Sequence, residues 1–440
     1  MTSQPQQAAS FADRHIGPTD AEIEIMLDAV GLSSMDELTS RAVPETIQTH
    51  DVLDLPAAAS EPEVLERLRH LGAANSVYTS LIGMGYYGTF TPSVIQRNVL
   101  ENPGWYTSYT PYQPEISQGR LEAMLNYQTM VSDLTGMDIA NASLLDEATA
   151  VAEAMTMLRR VSKRKGGSFF VDAECHPQVI QVVKTRAVPL DIDVIVGNPE
   201  DIDADQVYGV VLQYPGTSGV VRDDQALIAD LKEAGVMVVV ATDLLALTLL
   251  IPPGEMGADV AVGSTQRFGV PMMFGGPHAA FMATKDAYKR SLPGRLVGVS
   301  KDRKNRMALR LALTTREQHI RRERATSNIC TAQALLAVMA GLYAAWHGPE
   351  GLTAIANRVH GLASSLAARL VAGGANLVND TWFDTITVAV PGRAEEVVAA
   401  AEDRKINLRL VDPDHVAIAL DETSTEAVVD AAAESFFVNG

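Results

Sequence analysis

Two residue types that often anchor chemistry are scarce in this chain: it has nine lysines and two cysteines in 440 residues. Cys175 and Cys330 are too few for a disulfide framework or a structural zinc site, and they suit a reducing, cytoplasmic setting. Long apolar runs are also missing. The longest stretch, Asp243 to Pro253, is about half of what a bilayer crossing needs. Basic charge is in deficit: 54 acidic residues against 35 basic ones give a net charge of −19, which argues against general binding to nucleic acid or anionic membranes. Residues 1–10 are polar and rich in Gln and Ala, without the apolar core of a secretory leader, and read as disordered.

What remains is a globular composition, 47% apolar and 20% charged, in a chain long enough for two or three domains. Residues 1–70 read as short helices; Thr19 to Glu22 carries a capping signal, and Pro44 and Pro56 interrupt the series. Residues 71–330 read as a large domain. Within it, from Gly167 to Thr284, short apolar strands alternate with helices, the pattern of a mostly parallel α/β sheet covered on both faces. Residues 331–440, a long helical stretch followed by short strands and helices, read as a small α+β domain. Positive charge is concentrated between Lys285 and Arg324, where 13 basic residues stand against 4 acidic ones. This is either a solvated face or a docking patch for an acidic partner.

The large domain ends two of its strands in a suggestive way. Val236 to Val240 runs into Thr242 and Asp243, and Asp259 to Val262 runs into Gly263-Ser264-Thr265-Gln266-Arg267. Ligands in open α/β sheets bind beyond the carboxyl ends of the strands. An Asp on one strand end and a Lys on a neighbouring one is how many pyridoxal-phosphate enzymes hold the pyridine nitrogen and the Schiff base. Asp243 fits either that role or a helix cap, but the lysine position is Gln266. The nine lysines lie in charged clusters, on helix surfaces or away from the strand ends, and a Schiff-base lysine must be partly desolvated. His176, ahead of a helix, fits either stacking on a ring or a structural role. The turn Gln213 to Gly219 offers amides to an anion. The helix start at Ser143 to Thr149 offers a phosphate site that Asp146 and Glu147 would make repulsive. A loop from Trp105 to Tyr112 gathers four aromatic residues in a chain only 5% aromatic, with Glu115 and Gln118 beside it, and reads as a binding wall or interface.

Longer motifs carry a resemblance. Phe11-Ala12-Asp13-Arg14-His15-Ile16-Gly17, Tyr109 to Gly119 (YTPYQPEISQG), Tyr127-Gln128-Thr129-Met130, Ile139 to Ser143 and Glu323 to Thr331 (ERATSNICT) closely resemble the N-terminal half of glycine decarboxylase, the P-protein of the glycine cleavage system. The resemblance runs from Phe11 to the end. It implies a fold type I, aminotransferase-like large domain with a mostly parallel sheet and a small α+β C-terminal domain. It implies two homologous halves, fused or separate, of which only the C-terminal one holds pyridoxal 5'-phosphate on a lysine, leaving His176, Asp243 and Gln266 vestigial here. The wording of the motifs is nearer the fused type. The assembled oxidoreductase, glycine dehydrogenase (aminomethyl-transferring), decarboxylates glycine as an aldimine of the cofactor. It passes the aminomethyl group to the lipoyl arm of H-protein. Fold type I sites lie between two such domains. Tyr109, Tyr112, Glu115 and Gln118 are therefore expected to line the glycine and lipoyl channel, with Tyr86 and Tyr87 as further candidates. No metal and no catalytic residue of its own are expected in this half. The alternative is a structural scaffold for the cofactor-bearing half.

Overall fold

The computed structural model describes residues 11–49, 51, 53–107, 110–164, 166–273, 276–314, 317–327 and 332–437. Residues 1–10, read above as disordered, lie outside them, as do Tyr109 and Cys330. The chain divides into two compact units, Met1–Val77 and Tyr78–Gly440.

The first unit is helical: α1 (Phe11–His15), α2 (Asp20–Ala29), α3 (Met35–Ala42) and α4 (Glu61–Ala73). Its helix starts follow the capping residues. The Thr19 hydroxyl accepts from the Glu22 amide, and the Glu22 carboxylate accepts from the Thr19 amide at 2.7 Å. Ser60 and Glu63 repeat this at α4, and the Ser34 hydroxyl caps α3. Of the apolar side chains described here only Leu27 is buried, so capping supplies much of the order.

In the second unit the strands are β1 (Thr79–Leu81), β2 (Ile139–Ala140), β3 (Ser168–Asp172), β4 (Val194–Gly197), β5 (Val207–Tyr214), β6 (Met237–Thr242), β7 (Val260–Ser264), β8 (Ala280–Thr284), β9 (Leu296–Lys301), β10 (Met307–Ala312), β11 (Asn376–Leu377), β12 (Thr385–Ala389), β13 (Ile406–Asp412) and β14 (His415–Ala419). The helices are the short α5 (Ser93–Ile95) and α6 (Pro103–Tyr106), then α7 (Gln118–Thr135), α8 (Glu147–Val161), α9 (Pro177–Ala187), α10 (Gln225–Glu233), α11 (Gln318–Arg321), α12 (Ala334–Ala372), α13 (Ala394–Glu402) and α14 (Glu426–Glu434).

The large sheet has the order β2-β8-β7-β6-β5-β3-β4. The five strands from β7 to β4 are parallel, β8 runs antiparallel to β7, and the edge strand β2 pairs antiparallel with β8. Alternate residues face opposite sides. Val238 and Val240 join a core with Leu121 and Tyr127 of α7 and Met339 of α12; Val239 and Ala241 join another with Val151 and Met155 of α8 and Val179 of α9. Covering both faces explains the almost wholly apolar strands and confirms the parallel α/β reading. The small sheet, β1-β13-β14-β12-β11, packs on the second half of α12, α13 and α14. β1 belongs to this sheet, pairing parallel with β13, although residues 71–330 read as large domain. The helical stretch after residue 331 is α12, bent where Gly348 takes φ +65° and Pro349 follows.

Gly219 (φ +100°) marks where the two sheets meet: a side chain there would strike the Thr385 carbonyl of β12. This junction brings the residues just before β12 to the carboxyl edge of the large sheet.

Candidate functional site

The strand ends deliver their residues to one place. Asp243 follows β6, Gln266 and Arg267 follow β7, and His176 stands between β3 and α9. With Asp243, Arg267 and His176, the turn after β5, Glu147 in the first turn of α8, Met84, Gly85 and Tyr87 after β1, and Asp384 before β12 form the wall of one cavity.

Gln266 is fully buried and its amide is completely used. Its Oε1 accepts from the Tyr87 amide at 2.9 Å, and its Nε2 donates to the Tyr87 and Val270 carbonyls at 2.8 and 2.7 Å. It therefore fastens the Tyr86–Tyr87 loop to the end of β7. The neighbouring Arg267, which the sequence reading passed over, occupies the centre. Its guanidinium pairs with Asp243 and with Asp384 (2.7 Å) and lies 3.9 Å from the centre of the Tyr87 ring. Burial alone would pull its pKa down, but Asp243 and Asp384 outweigh that and hold the charge. Asp243 also accepts from the Leu245 amide at 2.9 Å, so the cap and the charge partner are one residue.

His176 faces the cavity, its Nδ1 3.0 Å from the Thr217 hydroxyl. Arg409 donates to that hydroxyl oxygen at 3.0 Å. Burial, then Arg409 and His278, push His176 down to about 3. One turn amide, that of Ser218, already serves an anion of the chain's own: the Glu174 carboxylate accepts from it at 2.8 Å. At the start of α8 the Asp146 side chain accepts from the Thr149 amide at 2.7 Å. Beside it Glu147 is pushed up to about 8, first by burial and then by Asp243 and Asp146.

These residues do not fit pyridoxal phosphate. The cavity wall contains no lysine, and the acid that would meet a pyridinium is bound to Arg267. Two acids crowd the helix start where a phosphate would sit. The cavity measures about 30 Å³, room for a couple of waters and far too little for a substituted pyridine.

The expected channel residues divide between two places. Tyr86 and Tyr87 lie at the strand-end site. Tyr112, Glu115 and Gln118 lie by the β9–β10 hairpin. Tyr112 is exposed and its hydroxyl accepts from Arg295 at 2.8 Å, Glu115 is exposed, and Gln118 is locked to Leu309 of β10, donating at 2.9 Å and accepting at 2.8 Å. Tyr109 lies outside the described residues. Among the described residues no cluster of metal-ligating side chains is present, and no helix is long and apolar enough to cross a membrane.

A profile of the family described as "Glycine cleavage system P-protein" matches residues 13–436. A glycine dehydrogenase (decarboxylating) of Cereibacter sphaeroides is 60% identical over all 440 residues, which cover 46% of that protein. One from a Nostoc species is 56% identical over 427 residues, covering 97% of this chain and 43% of that one. The chain thus spans about half the length of the relatives it matches. The crystal structure of glycine decarboxylase (P-protein) of the glycine cleavage system, in inhibitor-bound form, superposes with a TM-score of 0.87 at 35% identity, covering 96% of this chain and 98% of that one. An aspartate aminotransferase of Thermus thermophilus, at 17% identity and a TM-score of 0.55 over 81% of this chain and 97% of that one, shares the fold alone. The chain belongs to the glycine cleavage system P-protein family and corresponds to the N-terminal half of its long members.

Proposed function

We propose that this chain is the half of a glycine decarboxylase that does not hold pyridoxal phosphate, and that it works by completing the site of a C-terminal, cofactor-bearing half. One observation carries the reading: the cofactor frame is intact, but its centre is filled by Arg267 clamped between Asp243 and Asp384, with Gln266 where a lysine would stand. When bound in the partner half, the cofactor supplies an electron sink for the carbanion left by decarboxylation. This half contributes walls. Exposed Tyr112 and Glu115 present an aromatic ring and a carboxylate for a zwitterionic substrate or a lipoyl arm, and Gln118 fixes their loop to β10. Tyr109 is proposed for the same wall from its sequence motif, and Tyr86 and Tyr87 line the strand-end side.

The partners on this reading are the C-terminal half, glycine and a lipoylated H-protein. With 13 basic against 4 acidic residues, the Lys285–Arg324 window offers the carrier a docking face if the carrier is acidic. The composition fits a cytoplasmic protein without nucleic-acid or membrane partners.

The test mixes the chain with a C-terminal half, each half alone serving as control, and follows cofactor absorbance and glycine–bicarbonate carbon exchange. Exchange is expected only in the mixture. Exchange by the C-terminal half alone at the same rate would overturn the reading. Tyr112→Phe and Glu115→Gln then separate a wall from a scaffold: the wall reading expects turnover to fall about tenfold or more, and normal turnover supports the scaffold.

A further inference from the structure

A second cavity, of about 180 Å³, opens on the other side of Glu147. Its body is apolar: Met84 on the β1 loop, Ala148 on α8, and Val179 and Val182 on α9. Its polar end is unusual. Glu147, 6% exposed, leaves Oε1 without a hydrogen-bond partner among the described residues. His278, 6% exposed, likewise leaves both ring nitrogens without one. Tyr86 covers His278, ring centres 4.4 Å apart. His278 Cε1, His176 Cδ2 and the other Glu147 oxygen, Oε2, lie within 4.0 Å of the point above Gly85 where a side chain would begin, and Gly85 has φ +88° and can carry none without strain. Buried polar atoms are rarely left unmatched, and three beside one cavity call for a ligand.

The charge of the wall selects its chemistry. Asp146 and Glu147 both line the cavity, Asp243 lies close enough to Glu147 to act on it, and the lining contains no Lys or Arg. His278 is neutral, pushed down to about 4 by burial, with Asp146 working the other way. An anion would meet acids, and a neutral ligand would leave Glu147 holding its proton, whereas an ammonium can take that proton's place. A primary ammonium would donate to Glu147 Oε1 and to whichever His278 nitrogen is unprotonated, with its apolar body among the valines. We infer that this cavity is a binding site for a small organic cation, a primary ammonium on an apolar body about the size of one ring. The volume is comparable to an engineered cavity of about 150 Å³ that holds benzene. The start of α8 would thus have exchanged an anion's surroundings for a cation's.

Calorimetric titration of the 440-residue chain with benzylammonium at pH 7, in two buffers of different ionisation enthalpy, tests this. Glu147 is pushed up to about 8, so binding is expected to release most of one proton as the cation takes its place. Benzyl alcohol, of the same shape without the charge, is expected to bind at least tenfold more weakly. Glu147→Gln should abolish the proton release and that preference. Val182→Phe, at a half-exposed wall position, should fill the cavity and weaken both ligands. Equal binding of amine and alcohol, or benzylammonium binding unchanged in either variant, would overturn the inference. The readout does not involve glycine turnover, so it stands or falls apart from the partner-half reading.

Discussion

Arg267 is where a cofactor frame becomes something else. It is a buried cation held by one buried carboxylate, Asp384, and one partly buried, Asp243, and the network is worth most when considered as a unit. Arg267→Met should leave Asp243 and Asp384 facing each other uncompensated and cost about 3–5 kcal/mol, read from denaturant unfolding. Adding Asp384→Asn should recover part of the loss, since one of the two stranded charges is gone. Placing a lysine there with Gln266→Lys should not by itself create a cofactor site, because Arg267 still fills it. It should instead release the Tyr87 loop that Gln266 fastens, seen as faster hydrogen exchange at the Tyr87 amide. Glu147 gives a pH signature. Its folded value of about 8 lies above its ordinary 4.5, so the folded chain holds more protons than the unfolded one between them. The group's contribution to stability therefore falls as pH rises from about 5 to 8. Glu147→Gln should be the more stable form at pH 8 by on the order of 3 kcal/mol, the difference shrinking towards pH 5. Of these residues, Gln266, Asp243 and the acids at the start of α8 were legible from their places beside apolar strands and helix starts. Asp384 was not, because its partner Arg267 is 117 positions away and no local pattern links them.

Elements were legible where their periodicity was strong. The strands β3 to β8 and the helices α7 to α10 and α12 follow apolar runs whose length and flanks settle their type. The hairpin β9–β10 was missed because its window reads first as charge, and its strands alternate rather than run apolar: Leu309 and Leu311 are buried, Met307 and Arg310 exposed. β1 was missed because three residues carry no period, and its partner lies more than 300 residues on. Gln118 has a role that such a gap hides. Expected to line the channel, it is also the clasp between the start of α7 and β10. Gln118→Ala removes two hydrogen bonds to Leu309 and should cost about 1–3 kcal/mol, with β10 amides losing protection before the large sheet does.

At the scale of the molecule, a net charge of −19 coexists with one strongly basic window. If that window docks the lipoyl carrier, reversing Arg321, Arg322 and Arg324 to Glu should weaken carrier binding and flatten its dependence on salt, while unchanged binding would leave the window a solvated face. On the proposed reading, an aminotransferase-like fold persists without the means to hold a coenzyme because it serves as one wall of a shared site. The most direct measurement incubates the purified chain with pyridoxal phosphate, reduces it with borohydride and maps the modified lysines. Only scattered, substoichiometric labelling among the nine lysines is expected. One equivalent fixed on a single lysine, with the visible absorbance of a bound coenzyme, would contradict the account.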